Sequence, residues 1–164
     1  MKRRNTRRNN TNMSPNTSRR KEPHVGVVVV THDQAAVALV AAAFAIVGEL
    51  PGVTAVCVGV GESFAKIVEK ISRACEEVDN GSGVLLLVDV HGSSPFHAAM
   101  SMLDGTRPAE VLCGVNLPML IKMATVDRRH IPPPLLAEEL REAGRRSIRL
   151  GSELTGKVAV GETR

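Results

Sequence analysis

Val25-Gly-Val-Val-Val-Val-Thr-His32-Asp33 is the stretch on which the reading of this chain turns. Val25–Val30, interrupted only by Gly26, is an apolar run of the kind buried on both faces of a parallel sheet. It ends abruptly in Thr31, His32 and Asp33, and a helical pattern, Ala35–Val47, follows at once. Gly48 and Pro51 close that helix. In an open α/β sheet, ligands and chemistry gather where the carboxyl end of a strand turns into a helix. A histidine there is held on a rigid element and is open to partners.

Working outward, strand and helix patterns alternate. Val53–Val60 reads as a second strand running into Gly59 and Gly61. Over Ser63–Val78, Phe64, Ile67, Val68, Ile71 and Cys75 fall at helical spacing, with Lys66, Glu69, Lys70 and Glu76 on the other side. Asp79–Gly83 is a turn, and Val84–Val88 a third, fully apolar strand that ends in Asp89. Pro95 suits the first turn of a helix running to Leu103, with Ser94 as its N-cap. Glu110–Val115 reads as a fourth strand, and Pro118 opens a helix over Met119–Val126, with Asn116 as a candidate cap. Ile131–Pro134 reads as a stiff spacer before a helix at Leu135–Ala143, and Ser147–Leu150 as a last short strand. The order argues an α/β fold of three layers, a mostly parallel sheet with helices on both faces.

The apolar content comes from Val, Ala, Leu and Ile; there are three Phe and no Trp or Tyr. Base stacking needs exposed aromatic platforms, so nucleic acid is not an expected partner. The net charge of +4 conceals a division within the chain. Residues 1–22 hold eight Lys or Arg and one acid, Glu22, leaving 13 basic and 16 acidic side chains in 23–164, a net of −3. Poor in hydrophobes, residues 1–22 are expected to be a disordered basic leader, 23–155 the folded domain and 156–164 a tail. The basic start is not followed by the apolar segment of a secretory signal. Ala35–Val47 falls short of the roughly 20 apolar residues that span a bilayer. Cys57, Cys75 and Cys113 are odd in number and widely spaced, and read as buried thiols of a cytoplasmic protein.

Two strands thus end in polar residues of chemical interest, His32 and Asp89. If those strands are sheet neighbours, a carboxylate accepting from one imidazole nitrogen fixes the tautomer and leaves the other nitrogen as a directed nucleophile. Gly92, Ser93 and Ser94 then supply a flexible turn, hydroxyls and backbone amides able to cradle a phosphate. Together these parts describe phosphoryl transfer through a histidine. A metal-dependent hydrolase built from His32, Asp33, Asp89, His91 and His97 is the competing chemistry. No HExxH supports it, and no glycine-rich nucleotide motif follows a strand.

Three ordered motifs carry a resemblance. Val30-Thr-His32, then Leu87-Val-Asp89 with Gly92-Ser-Ser-Pro-Phe96 and Ala98-Ala99, then Gly114-Val-Asn-Leu-Pro-Met119, are similar to the enzyme IIA domain of the mannose family of the bacterial sugar phosphotransferase system. The resemblance runs over about 23–127 and weakly to 155. It implies a flavodoxin-like fold and a phosphoryl group accepted by His32 from the carrier protein HPr. Asp89 would be the hydrogen-bond partner of the histidine, and Ser94 would fall on the phosphate side. It further implies no cofactor, a IIB component or a regulatory target as the next partner, and a homodimer exchanging a C-terminal antiparallel edge strand, for which Ser147–Leu150 is the candidate. The chain stops before a IIB domain could follow, so that component is expected to be separate or absent. The phosphotransfer subunit of dihydroxyacetone kinase shares the strand-end histidine, but Ser94-Pro-Phe96 after Asp89 fits the mannose type better. Four positions depart from the family pattern: Asp33 and Ser93 replace glycines, and His91 and His97 stand where other residues are usual. Asp33 puts a negative charge beside an incoming phosphoryl group.

Overall fold

A computed structural model describes residues 22–155. The leader and the tail, apart from Glu22, lie outside the described residues. The elements follow in the order β1 (Gly26–His32), α1 (Ala35–Val47), β2 (Val53–Val58), α2 (Phe64–Val78), β3 (Val84–Val88), α3 (Ser94–Met100), β4 (Ala109–Cys113), α4 (Leu117–Lys122), a 3₁₀ turn (Met123–Thr125), α5 (Pro133–Arg146) and α6 (Gly151–Thr155). The four strands form one parallel sheet in the order β2-β1-β3-β4.

The alternation of side chains along the strands divides the interior in two. Val27, Val29, Leu85 and Leu87 face a core closed by α1, α4 and α5. Val28, Val30, Leu86 and Val88 face one closed by α2 and α3. The valines of β1 and the whole of β3 are buried, which is why both read as unbroken apolar runs. Burying each such side chain is worth about 1.5–3 kcal/mol, so the central strands are the most firmly held part of the sheet. Arg128 ties down the amino ends of the strands, its buried guanidinium donating to the carbonyls of Val25 and Pro51. No helix among the described residues is long and apolar enough to cross a membrane.

Several expectations need correction. Ser147–Leu150 is not a strand: α5 runs on to Arg146, Ile148 and Leu150 are 77% and 64% exposed, and among the described residues the outer edge of β4 carries no antiparallel neighbour. The proline spacer is shorter than expected, because Pro132 is the N-cap of α5 and Pro133 and Pro134 form its first turn. That turn leaves its N–H groups unpaired in any case, so proline costs nothing there. Gly144 lies inside α5, where a Cβ would meet the Met119 side chain at 2.5 Å, so the glycine permits the close approach of α5 to α4. In the apolar helix α1 only Ala36 and Ala43 are fully buried. Of the three thiols Cys75 is buried, and burial pushes its pKa up to about 11; Cys57 and Cys113 are half-buried.

Candidate functional site

β1 lies beside β3 with Val30 opposite Val88, so both strands deliver their next residues to the same rim. His32 is the last residue of β1, two positions beyond the expected strand end, and is still in register with Val58 of β2. Its ring is therefore carried on a strand. Asp89 Oδ2 accepts the backbone N–H of His32 at 2.9 Å and lies 2.9 Å from its Nδ1. Oδ1 accepts the N–H of Val90 at 2.8 Å. A carboxylate can only accept, so Nδ1 carries a proton, and in the neutral ring Nε2 keeps its lone pair. The His32 side chain is about half exposed, at 51%, whereas Asp89 is 21% exposed. Burial acts to raise the Asp89 pKa, but the His32 backbone and ring and the Val90 amide outweigh it and hold the carboxyl below its ordinary range.

Below this pair, buried Thr31 donates to the carbonyl of His32 at 3.2 Å. Beside it, Asp33 has φ 46°, the left-handed region, and its N–H donates to Val58 O. Asp tolerates that region better than most residues do. The resulting sharp corner turns the chain from β1 into α1 directly behind the histidine.

The loop after Asp89 turns through Gly92, at φ 78°. Ser93, not Ser94, is the N-cap of α3: its Oγ accepts the N–H of Phe96 at 3.3 Å and donates to Val90 O at 2.8 Å. That uses the hydroxyl proton of Ser93. Ser94 is the first residue of the helix and is exposed. The rings of His91 and His97 flank Phe96, with centroids 4.7 and 5.2 Å from it. Among the described residues no group of three or more His, Cys, Asp or Glu is placed to hold a metal ion, so the hydrolase set is not brought together.

At the next strand end, the N–H groups of Gly114 and Val115 both donate to Val88 O, and Asn116 caps α4 through Met119 N–H. This ties the fourth rim loop to the strand that carries Asp89. Sequence reasoning missed the exposed apolar residues in the loops that follow β2 and β3, at this end of the sheet. Val60 is fully exposed, and Phe64 and Val90 are about half exposed. The available signal was a valine between Gly59 and Gly61, beyond the point where a strand could use it.

A family model described as PTS system fructose IIA component matches residues 26–132, which contain every element of this rim. The chain belongs to that family. This IIA chain is 29% identical over 134 residues to the fructose-specific EIIA component of Bacillus subtilis, covering 82% of itself and 91% of that relative. It is 36% identical over 98 residues to the mannose-specific EIIAB component of Escherichia coli. There it covers 60% of itself and spans only 30% of the relative's length. Among solved structures, the mannose/sorbose-specific IIA subunit from Enterococcus faecalis superposes with a TM-score of 0.69 at 25% identity, over 86% of this chain and 99% of that one. A phosphotransferase system EIIA component from Streptococcus agalactiae gives 0.70 at 19% identity, covering 79% and 98%, a likeness of fold. The fold is the flavodoxin-like α/β type.

Proposed function

We propose that this IIA chain is a phosphocarrier of a sugar phosphotransferase system, with His32 as the residue that carries the phosphoryl group. The observation behind the reading is the bond from His32 Nδ1 to Asp89, which leaves Nε2 as the free nucleophile on an exposed rim. Nε2 attacks the phosphorus of a phosphohistidine on HPr in line. The new N–P bond forms as the donor's N–P bond breaks, and the donor ring nitrogen takes back its electron pair. As Nε2 becomes substituted the ring turns cationic, and the Asp89 carboxylate stabilises that charge. The Ser94 hydroxyl and the amides around Gly92 are the donors for the phosphoryl oxygens; Ser93 holds the loop that presents them. Val60, Phe64 and Val90 offer an apolar collar on which a carrier protein can seat.

The next acceptor is a IIB component or a regulatory target. The second destination draws weight from Asp33, whose carboxylate beside the histidine would slow transfer relative to glycine. The folded unit is assigned to 23–155, and the free thiols suit a cytoplasmic setting. A homodimer formed through the C-terminal segment is supported by exposed Ile148 and Leu150 and by the edge of β4, which has no outer neighbour among the described residues. The test is to incubate the protein with phosphoenolpyruvate, enzyme I and HPr and look for an acid-labile phosphoryl adduct by intact mass. Uptake that survives His32→Ala refutes the assignment.

A further inference from the structure

Val60 sits fully exposed on a turn between Gly59 and Gly61. An exposed valine alone asks for no explanation. A turn with two glycines is expected to be loose, because glycine gives up more conformational freedom on folding than any other residue. This turn is fastened instead. Gly59 N–H donates to Glu62 Oε1 at 3.1 Å, and Gly59 O accepts the N–H of Glu62 at 3.3 Å, so one residue takes both backbone groups of the glycine. The carboxylate lies close against the turn: a Cβ on Gly59 would meet Glu62 Oε1 at 3.1 Å.

Lys70 of α2 closes the other side. Its Nζ lies 3.1 and 3.2 Å from the two carboxylate oxygens of Glu62 and also donates to Cys57 O near the end of β2. The Glu62 side chain is only 17% exposed. The Lys70 ammonium first, and the Gly59 amide after it, hold its carboxyl below the ordinary range. An isolated surface ion pair contributes little to stability. This pair is part of a clasp that joins the end of β2, the turn and α2. What the clasp orders is Val60, and strand register sets where it lies. His32 pairs with Val58, so Val60 comes two residues past the strand neighbour of the histidine. Phe64, about half exposed, begins the same helix that carries Lys70, so the clasp ties the helix start to the turn as well.

We propose that Glu62 and Lys70 are positioning residues for the phosphoryl donor, holding Val60 as a preformed anchor for an apolar patch on that protein. This rests on the reading of the chain as a phosphocarrier and adds to it the residues that set donor affinity. Ordering a loop during association costs affinity, and a loop ordered beforehand avoids that cost. The clasp therefore acts on the encounter with the donor and not on the exchange of N–P bonds at His32. Val60 is the contact; Glu62 and Lys70 work through it.

The test is a double-mutant cycle in the full chain. Phosphorylation of His32 is followed by rapid quench against phospho-HPr concentration, which gives a half-saturating concentration and a limiting rate. Glu62→Ala is expected to raise the half-saturating concentration about three- to tenfold and to leave the limiting rate within about twofold. Val60→Ser should do the same. The two changes together should be no worse than Val60→Ser alone, because the clasp then has no anchor to position. A merely structural role would add its effect in either background. Glu62→Gln keeps an acceptor for Gly59 N–H and loses the charge facing Lys70, so it should fall between wild type and Glu62→Ala. Half-saturation unchanged in both Glu62 variants, additive effects in the cycle, or a loss confined to the limiting rate overturns the proposal and leaves His32 in place. No uptake by the wild type, or uptake that survives His32→Ala, refutes the phosphocarrier reading and this proposal with it.

Discussion

Asp89→Asn isolates the charge behind His32 while keeping the shape of the side chain. Oδ2 accepts two hydrogen bonds from one residue, the N–H and the Nδ1–H of His32, each at 2.9 Å. A hydrogen bond to a charged acceptor is worth about 1.5–3 kcal/mol net. With His32 half open to water, screening reduces this, and about 1–2 kcal/mol of selective support for the phosphorylated, cationic ring is a fair figure. At 1.36 kcal/mol per factor of ten, phosphoryl uptake from phospho-HPr should slow roughly 5- to 30-fold. Rapid-quench measurement of the acid-labile adduct reads this directly. The same variant carries a pH signature. Because the folded-state carboxyl is held below its ordinary pKa, its contribution to stability is present above about pH 4 and is lost as pH falls through the folded value. The stability gap between wild type and Asp89→Asn in urea should therefore be constant from neutrality down to about pH 5 and then close in acid. Uptake within twofold of wild type would remove Asp89 from the mechanism, and a gap that persists unchanged at pH 2 would show that its charge is not what stabilises the rim.

The two serines should separate by role: Ser93→Ala loses the α3 cap and about 0.5–2 kcal/mol in chemical denaturation. Ser94→Ala should leave the denaturation midpoint in place and slow phosphoryl uptake several-fold, so equal behaviour of the two variants would defeat the division. Asp33→Gly removes one exposed charge near the phosphoryl position, worth about 0.5–1 kcal/mol in water, and should speed uptake about two- to fivefold. A slower Asp33→Gly would mean that the carboxylate assists transfer. Gly83→Ala should cost about 3 kcal/mol or more, measured by urea unfolding, because the residue sits at φ 84° and the new Cβ would lie 2.2 Å from Pro108 O. That carbonyl is held in place by Val84 N–H, so it cannot easily retreat.

The residues of the rim were legible because they are out of place. A histidine or an aspartate at the end of an unbroken valine or leucine run has no packing reason to be there, so its presence asks for a chemical one. What no periodicity could supply was the pairing of β1 with β3, which alone brings Asp89 to His32. That adjacency depends on which crossover the chain takes, and strand patterns are silent on it. The misassigned N-cap has a more local cause. Proline favours the first helical position, which pointed from Pro95 back to Ser94. The cap went instead to Ser93, whose hydroxyl can serve Phe96 N–H and Val90 O together, and Pro95 fits the second position equally well.

Ser147–Leu150 was misread because of what apolar periodicity leaves unsaid. Apolar periodicity reports that a surface is to be kept from water, but it does not say whether the covering comes from the same chain. Ile148 and Leu150 therefore read as a strand although no neighbour among the described residues pairs with them. The two central strands, by contrast, met every expectation of burial. A two-sided apolar pattern on a central strand is satisfied within the fold; the same pattern at an edge is satisfied only by something added to it.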